Sequence, residues 1–236
     1  MVNGKYRNIH VAPGHKMNLP GVARQGKCAA LRIAGLFMPY ITVWLGLYVF
    51  KNAWAAILGY HIGIVLLVTL AGAWPRLGEF RPTMPVWQVL VFGLTGCMAG
   101  ISVYFLWPFI HVSPQLTDAL LDWGLTPRVW PLFIAYSTFI NPWLEEAYWR
   151  GWLGNTAQHP IVQDAFFAGF HLVILAPFFP APWLAVAFIV LAVSGWMWRQ
   201  VTRAEKSLLA SSLFHMAADV SILLVVWSTV VSPPLP

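Results

Sequence analysis

Residues 33–50, IAGLFMPYITVWLGLYVF, and residues 53–74, AWAAILGYHIGIVLLVTLAGAW, are two apolar runs parted only by Lys51-Asn52. A bilayer-crossing helix needs about 20 predominantly apolar residues, and each run is close to that length without an Asp, Glu, Lys or Arg. Two such runs joined by a two-residue polar break read as a pair of membrane spans. Outward from them, five more runs follow at 86–107, 130–152, 160–179, 182–200 and 207–231. Breakers separate them: Pro75 to Pro85, a long 108–129 connection, Gly154 to Pro160, Pro180 to Pro182, and Arg199 to Lys206. The expected fold is an all-α polytopic membrane protein with about seven transmembrane helices.

Composition agrees. Of the 236 residues 59% are hydrophobic and 9% charged, whereas soluble domains carry about 25% charged residues. The 14 Trp suit interfacial aromatic belts. A net charge of +6 does not point to nucleic acid, because the Lys and Arg lie between apolar runs and form no basic face. The two cysteines, Cys28 and Cys97, make no disulfide framework, and both are expected to be unmodified thiols. The first apolar run follows a polar segment and precedes no small-residue cleavage site, so it reads as a retained span rather than a signal peptide.

Within 108–129, Ser113-Pro114 is a helix start and Gly124 a stop. Leu116, Leu120, Leu121 and Trp123 give one apolar face. A short interfacial helix near 114–123 is expected. With the N-terminus in the cytoplasm, every Lys and Arg except Lys51 and Arg128 falls on the cytoplasmic side, as the positive-inside rule requires. The organisation expected is a cytoplasmic basic segment at 1–32, three spans and the interfacial helix at 33–129, and a core of four spans at 130–232. Gly96-xxx-Gly100 in the third span permits close helix contact.

Ionisable groups inside a bilayer cost about 2.5–3.5 kcal/mol each on insertion scales, so those that occur there demand a reason. Glu145, Glu146 and Asp219 lie well within expected spans, as do His61, His171 and His215; Asp164 lies near the start of the fifth and Arg150 closes the fourth. At a rise of about 1.5 Å per residue, Glu145, His171 and His215 all sit roughly 10–17 Å below one membrane surface. Three polar groups on three helices at one depth imply a shared cavity. His215 and Asp219 are four apart and share a helix face. Glu146 and Arg150 are also four apart, in the favourable acid-first order. Adjacent Glu145 and Glu146 diverge by about 100°, so one can face a cavity while the other pairs with Arg150. Pro142 loosens the helix just before them.

Three motifs in this order resemble the CPBP family of CAAX proteases and bacteriocin-processing (Abi) membrane proteins. Glu145-Glu146-Ala147-Tyr148-Trp149-Arg150 matches EExxxR, Phe167-Ala168-Gly169-Phe170-His171 matches FxxxH, and His215-Met216-Ala217-Ala218-Asp219 matches HxxxN/D. The resemblance spans about 131–232 and implies a glutamate-type intramembrane endopeptidase with no cofactor and no obligatory metal. It implies that Glu145 and His171 activate water, that His215 and Asp219 serve the oxyanion, and that Glu146, Arg150 and Phe167 shape the site. An ionised Asp cannot donate a hydrogen bond, so Asp219 must either be protonated, which burial near Glu145 would favour, or serve by orienting His215, and the orienting role is the one expected. The implied partners are the lipid bilayer and a membrane-anchored protein or peptide substrate; the short chain with few loops suggests a prokaryotic inner membrane.

Rival readings exist. The Glu, His and Asp side chains are conceivable zinc ligands, although no HExxH occurs. The fold could serve a non-catalytic scaffold or immunity protein, with Glu145, Glu146 and Arg150 as a structural ion-pair network and the histidines as interhelical hydrogen-bonding groups. Buried carboxylates also mark transport pathways. His61 matches no motif and is expected to pack or meet lipid. Asp164 is expected near the inner surface, complementing the helix N-terminus.

Overall fold

The computed structural model describes residues 20–231, with side chains from 29 to 230. Residues 1–19, and with them most of the expected basic segment, lie outside the described residues, as do the side chains of Arg24, Lys27 and Cys28. Among the described residues every regular element is helical. Helix α1 (Pro20–Trp44) runs into a π turn (Leu45–Val49), and α2 covers Ala53–Ala71. The third span is bent into α3 (Val86–Thr95) and α4 (Met98–Ile110). After α5 (Leu116–Asp122) come α6 (Trp130–Phe139) and α7 (Asn141–Glu145), which continues as a π-helix over Glu146–Trp152. The last three are α8 (Val162–Leu175), α9 (Ala181–Glu205) and α10 (Leu209–Val226), closed by a π turn (Trp227–Val231).

All seven expected segments are therefore helical, and the chain is an integral, multi-pass membrane protein. Five are long and apolar enough to cross a membrane: Ala29–Val49, Ala53–Ala71, Val86–Ile110, Ala181–Glu205 and Leu209–Val230. The other two are modified by the residues that carry the chemistry. The fourth is divided at Ile140, where φ −112° and ψ −49° leave the helical register and Pro142 begins the next turn. The fifth is a 14-residue helix. Many large apolar side chains face outward, among them Ile62, Leu94, Phe105, Leu132 and Ile189. Such a surface is untenable in water and natural against lipid.

Helix α10 is the hub, packing against α3, α4, α6, α7 and α9, while α1 pairs with α2 and α8, and α8 pairs with α9. The Gly96/Gly100 spacing works as expected: both glycines press on α10. A Cβ on Gly96 would strike the Phe214 carbonyl oxygen, and one on Gly100 would strike Ser221, whose hydroxyl accepts from the Gly100 amide at 3.1 Å. Replacing Gly96 by Ala is expected to lower stability by about 1–3 kcal/mol through forced overpacking. Thermal unfolding in detergent measures this; an unchanged midpoint would show that α3 is free to back away.

Helix α5 lies where the interfacial helix was expected. Its buried Leu116 and Leu120, with Trp123, turn onto the end of the bundle rather than into lipid, while Leu121 is exposed. The Trp123 ring meets Phe178 edge-on at 5.4 Å, and the Trp123 carbonyl accepts from the Ala53 amide at 2.9 Å. Protein contacts decide the orientation because they satisfy backbone groups that lipid cannot.

Candidate active site

The site begins with the local geometry of the fourth segment. From Glu146 to Trp152 the backbone bonds from i to i+5, as in Leu153 N–H to the Tyr148 carbonyl at 2.8 Å. Single-turn π segments of this kind occur frequently at functional sites. The wider turn is anchored on both sides: Tyr148 donates to the Gly35 carbonyl at 2.6 Å, and the Trp149 indole donates to the Tyr60 hydroxyl at 2.9 Å.

Glu146 and Arg150 form the expected pair, Oε1 to Nη1 at 3.2 Å, both almost wholly buried. The Arg150 guanidinium is held between two rings, 4.1 Å from the Phe167 centroid and 4.8 Å from that of Trp198. A desolvated cation between aromatic faces is stabilised by about 2 kcal/mol or more. Phe167 makes this contact from α8 and Trp198 from α9.

His215 stands at the centre. Its ring stacks on Trp198 with centroids 4.6 Å apart and planes at 25°. Nδ1 donates to Glu146 Oε1 at 3.1 Å. Nε2 faces two further carboxylates, Glu145 Oε2 at 3.8 Å and Asp219 Oδ1 at 3.5 Å. Asp219 also accepts from Asn141 Nδ2 at 3.1 Å. Glu145 is 3% exposed, and among the described residues no group donates a hydrogen bond to it. One imidazole thus gathers Glu145, Glu146 and Asp219 from two helices, with Arg150 completing the charge arrangement.

His171 makes its hydrogen bond outside this cluster. Its Nδ1–H donates to the Phe167 carbonyl at 2.8 Å, one turn back along α8, which leaves Nε2 with the free lone pair. No hydrogen bond or ion pair joins it to Glu145. The Phe167 ring flanks both histidines, 4.9 Å from His171 and 6.4 Å from His215.

Two contributors carried little signal in the sequence. Asn141 belongs to none of the three motifs, although it lies four residues before Glu145 and so on the same helix face. Trp198 was one aromatic among many. Asp164 lies at the third position of α8 and accepts from the Ile161 amide at 2.9 Å, as a helix-start acid should. It also accepts two hydrogen bonds from Arg199, at 2.7 and 3.1 Å. Among the described residues no group of three or more His, Cys, Asp or Glu is arranged to hold a metal ion.

Residues 127–221 match the family described as Type II CAAX prenyl endopeptidase Rce1-like. The match spans every member of the cluster and leaves α1 to α5 outside it. No curated protein and no solved structure matches the chain.

Proposed function

We propose that the chain, whose residues 127–221 match the family described as Type II CAAX prenyl endopeptidase Rce1-like, is an intramembrane endopeptidase that hydrolyses a peptide bond of a membrane-anchored protein or peptide with Glu145 as general base. The observation that carries this is the Glu145 carboxylate: buried, accepting no hydrogen bond from the described residues, and 3.8 Å from His215 Nε2. A carboxylate in that setting is free to take a proton from water, and the neighbouring ring is placed to donate to developing charge.

The chemistry follows. Water between Glu145 and the scissile carbonyl gives its proton to Glu145 while its oxygen bonds to the carbonyl carbon. The carbonyl π electrons move to oxygen, and the oxyanion is stabilised by the donor at His215 Nε2. Collapse expels the amine, which takes the proton back from Glu145. His171 Nε2, its other nitrogen committed to Phe167, is an acceptor for the same water or for the substrate amide. Asp219 Oδ1, 3.5 Å from His215 Nε2, orients the ring through its charge, with Asn141 donating to Oδ2. Glu146, Arg150 and Phe167 keep the imidazole in place.

On this reading residues 130–232 are the catalytic core, and 33–129 carry α1 to α5 and bear on substrate. The site opens toward the cytoplasmic side, with the N-terminus there, in a prokaryotic inner membrane. Prenylated C-terminal peptides, bacteriocin leaders and sorting tails are all compatible substrates. The testing experiment incubates the detergent-purified protein with membrane-anchored peptides of these classes, with and without chelator. Cleavage unaffected by chelator and lost in Glu145→Gln supports the reading. Cleavage lost on chelation and restored by zinc would replace it with a zinc protease, and full biological function in Glu145→Gln would replace it with a scaffold.

Asp219→Asn separates the two roles open to that position. An orienting carboxylate predicts a loss of about 10-fold or more in kcat, within the 10–100-fold typical of groups that orient a reacting residue. Steady-state cleavage rates measure it, and an unchanged or raised kcat would assign position 219 to direct donation instead.

A further inference from the structure

His61 lies on α2, outside the 127–221 match and outside every motif, yet it is 4% exposed and has both ring nitrogens engaged. Nδ1 is 2.7 Å from the Tyr136 hydroxyl and Nε2 is 3.0 Å from Asn141 Oδ1. The same Asn141 amide donates through Nδ2 to Asp219 Oδ2 at 3.1 Å, and Asp219 Oδ1 is 3.5 Å from His215 Nε2. A continuous polar chain therefore runs Tyr136, His61, Asn141, Asp219, His215 across α6, α2, α7 and α10. The His61 ring is also stacked on Tyr136, centroids 5.4 Å apart and planes at 30°.

We infer that His61 is a positioning residue that sets the orientation of the Asn141 amide and thereby holds the Asp219 carboxylate, which accepts from Asn141, beside His215 Nε2. The reasoning is one of donor and acceptor parity. Asn141 Oδ1 can only accept, so His61 Nε2 must carry the hydrogen. In the neutral ring Nδ1 then accepts, and the Tyr136 hydroxyl donates to it. With Oδ1 occupied by His61, the amide presents Nδ2 to position 219, which must offer an acceptor. The reverse wiring inverts every link: Nδ1–H donates to Tyr136, Nε2 accepts from Asn141, and Asn141 Oδ1 needs a donor at position 219. The tautomer of His61 and the hydrogen-bonding role of Asp219 are thus two ends of one switchless chain, set together. Burial in a membrane-spanning core makes each broken link expensive.

The catalytic consequence rests on the protease reading of the same site; the wiring itself does not. The test uses the full chain in lipid nanodiscs, labelled with 15N-histidine, and reads two-bond proton–nitrogen correlations. The His61 signal is identified by its absence in His61→Gln. Wild type is expected to show the Nε2–H tautomer, and Asp219→Leu, which cannot accept, is expected to convert His61 to a mixture of tautomers. A His61 spectrum that ignores the change at 219 overturns the inference. In parallel, cleavage of a farnesylated CAAX peptide is measured. His61→Leu is expected to lower kcat by about 10–100-fold with little change in KM. His61→Gln, whose amide can donate to Asn141, is expected to recover most of that loss. In an Asp219→Leu background, His61→Leu should cost nothing further. Equal losses in His61→Gln and His61→Leu, or losses that multiply with Asp219→Leu, would mean that His61 only ties α2 to the bundle. Should wild type cleave none of the three classes of membrane-anchored peptide, the protease reading falls, and the tautomer measurement still decides the relay.

Discussion

Glu145→Gln is expected to abolish peptide cleavage, by about 10²–10⁴-fold for the loss of a general base, while leaving the protein as stable as wild type. The change removes a basic oxygen but keeps the side-chain volume, and Glu145 gives up no hydrogen bond that the fold depends on. Its neighbour should behave in the opposite way. Glu146 is the acceptor for His215 Nδ1 and the ion-pair partner of Arg150. Glu146→Gln therefore leaves a buried guanidinium between Phe167 and Trp198 with no counter-charge, which is a fold-level cost as well as a catalytic one. Measuring the thermal midpoint and the single-turnover rate for both variants separates the two. If Glu145→Gln retained more than about a tenth of the wild-type rate, the general-base role would be untenable.

The second large effect lies away from the chemistry. Arg199 grips Asp164 through two hydrogen bonds and donates to the carbonyls of Ala157 and His159, all within a buried setting. It thereby ties the 154–161 connection and the start of α8 to α9. Removing one partner strands the other as a buried charge, so Arg199→Leu is expected to destabilise by about 3–5 kcal/mol. Adding Asp164→Asn should recover part of that, because the uncompensated carboxylate is gone while the two carbonyls still lack a donor. Unfolding in mixed micelles gives the comparison. A loss below about 1 kcal/mol, the scale of an exposed pair, would show that water reaches this ion pair. Arg199 also illustrates how a topological count and a structural role coexist: it was read as a loop charge, and α9 carries it inside a helix that continues to Glu205.

What was legible in the sequence is what depends on chain-local rules. Apolar run length identifies a span wherever breakers bound it, so all seven segments could be placed within a few residues. A four-residue offset puts Glu146 beside Arg150 and His215 beside Asp219 in any helix. Gly96-xxx-Gly100 signals close approach without naming the partner. Family motifs add the expectation that these residues act together.

Tertiary structure decided what no local rule contains. Depth along a helix follows from residue count, but the azimuth of each side chain follows from packing, and so the shared level of Glu145, His171 and His215 brings Glu145 to 3.8 Å from His215 while no polar contact joins His171 to Glu145. His171 is drawn back by the Phe167 carbonyl, whereas His215 is stacked on Trp198, from a helix that bears no motif. The apolar face of α5 was evident from spacing; that it caps the bundle was settled by Trp123 meeting Phe178 and Ala53. His61 shows the limit most clearly. A lone histidine on an apolar helix has no pattern to give it meaning, and its partners Tyr136 and Asn141 lie 75 and 80 residues away. Hydrogen bonds of that reach depend on which faces of which helices meet, which is a property of the packed bundle and not of any one segment.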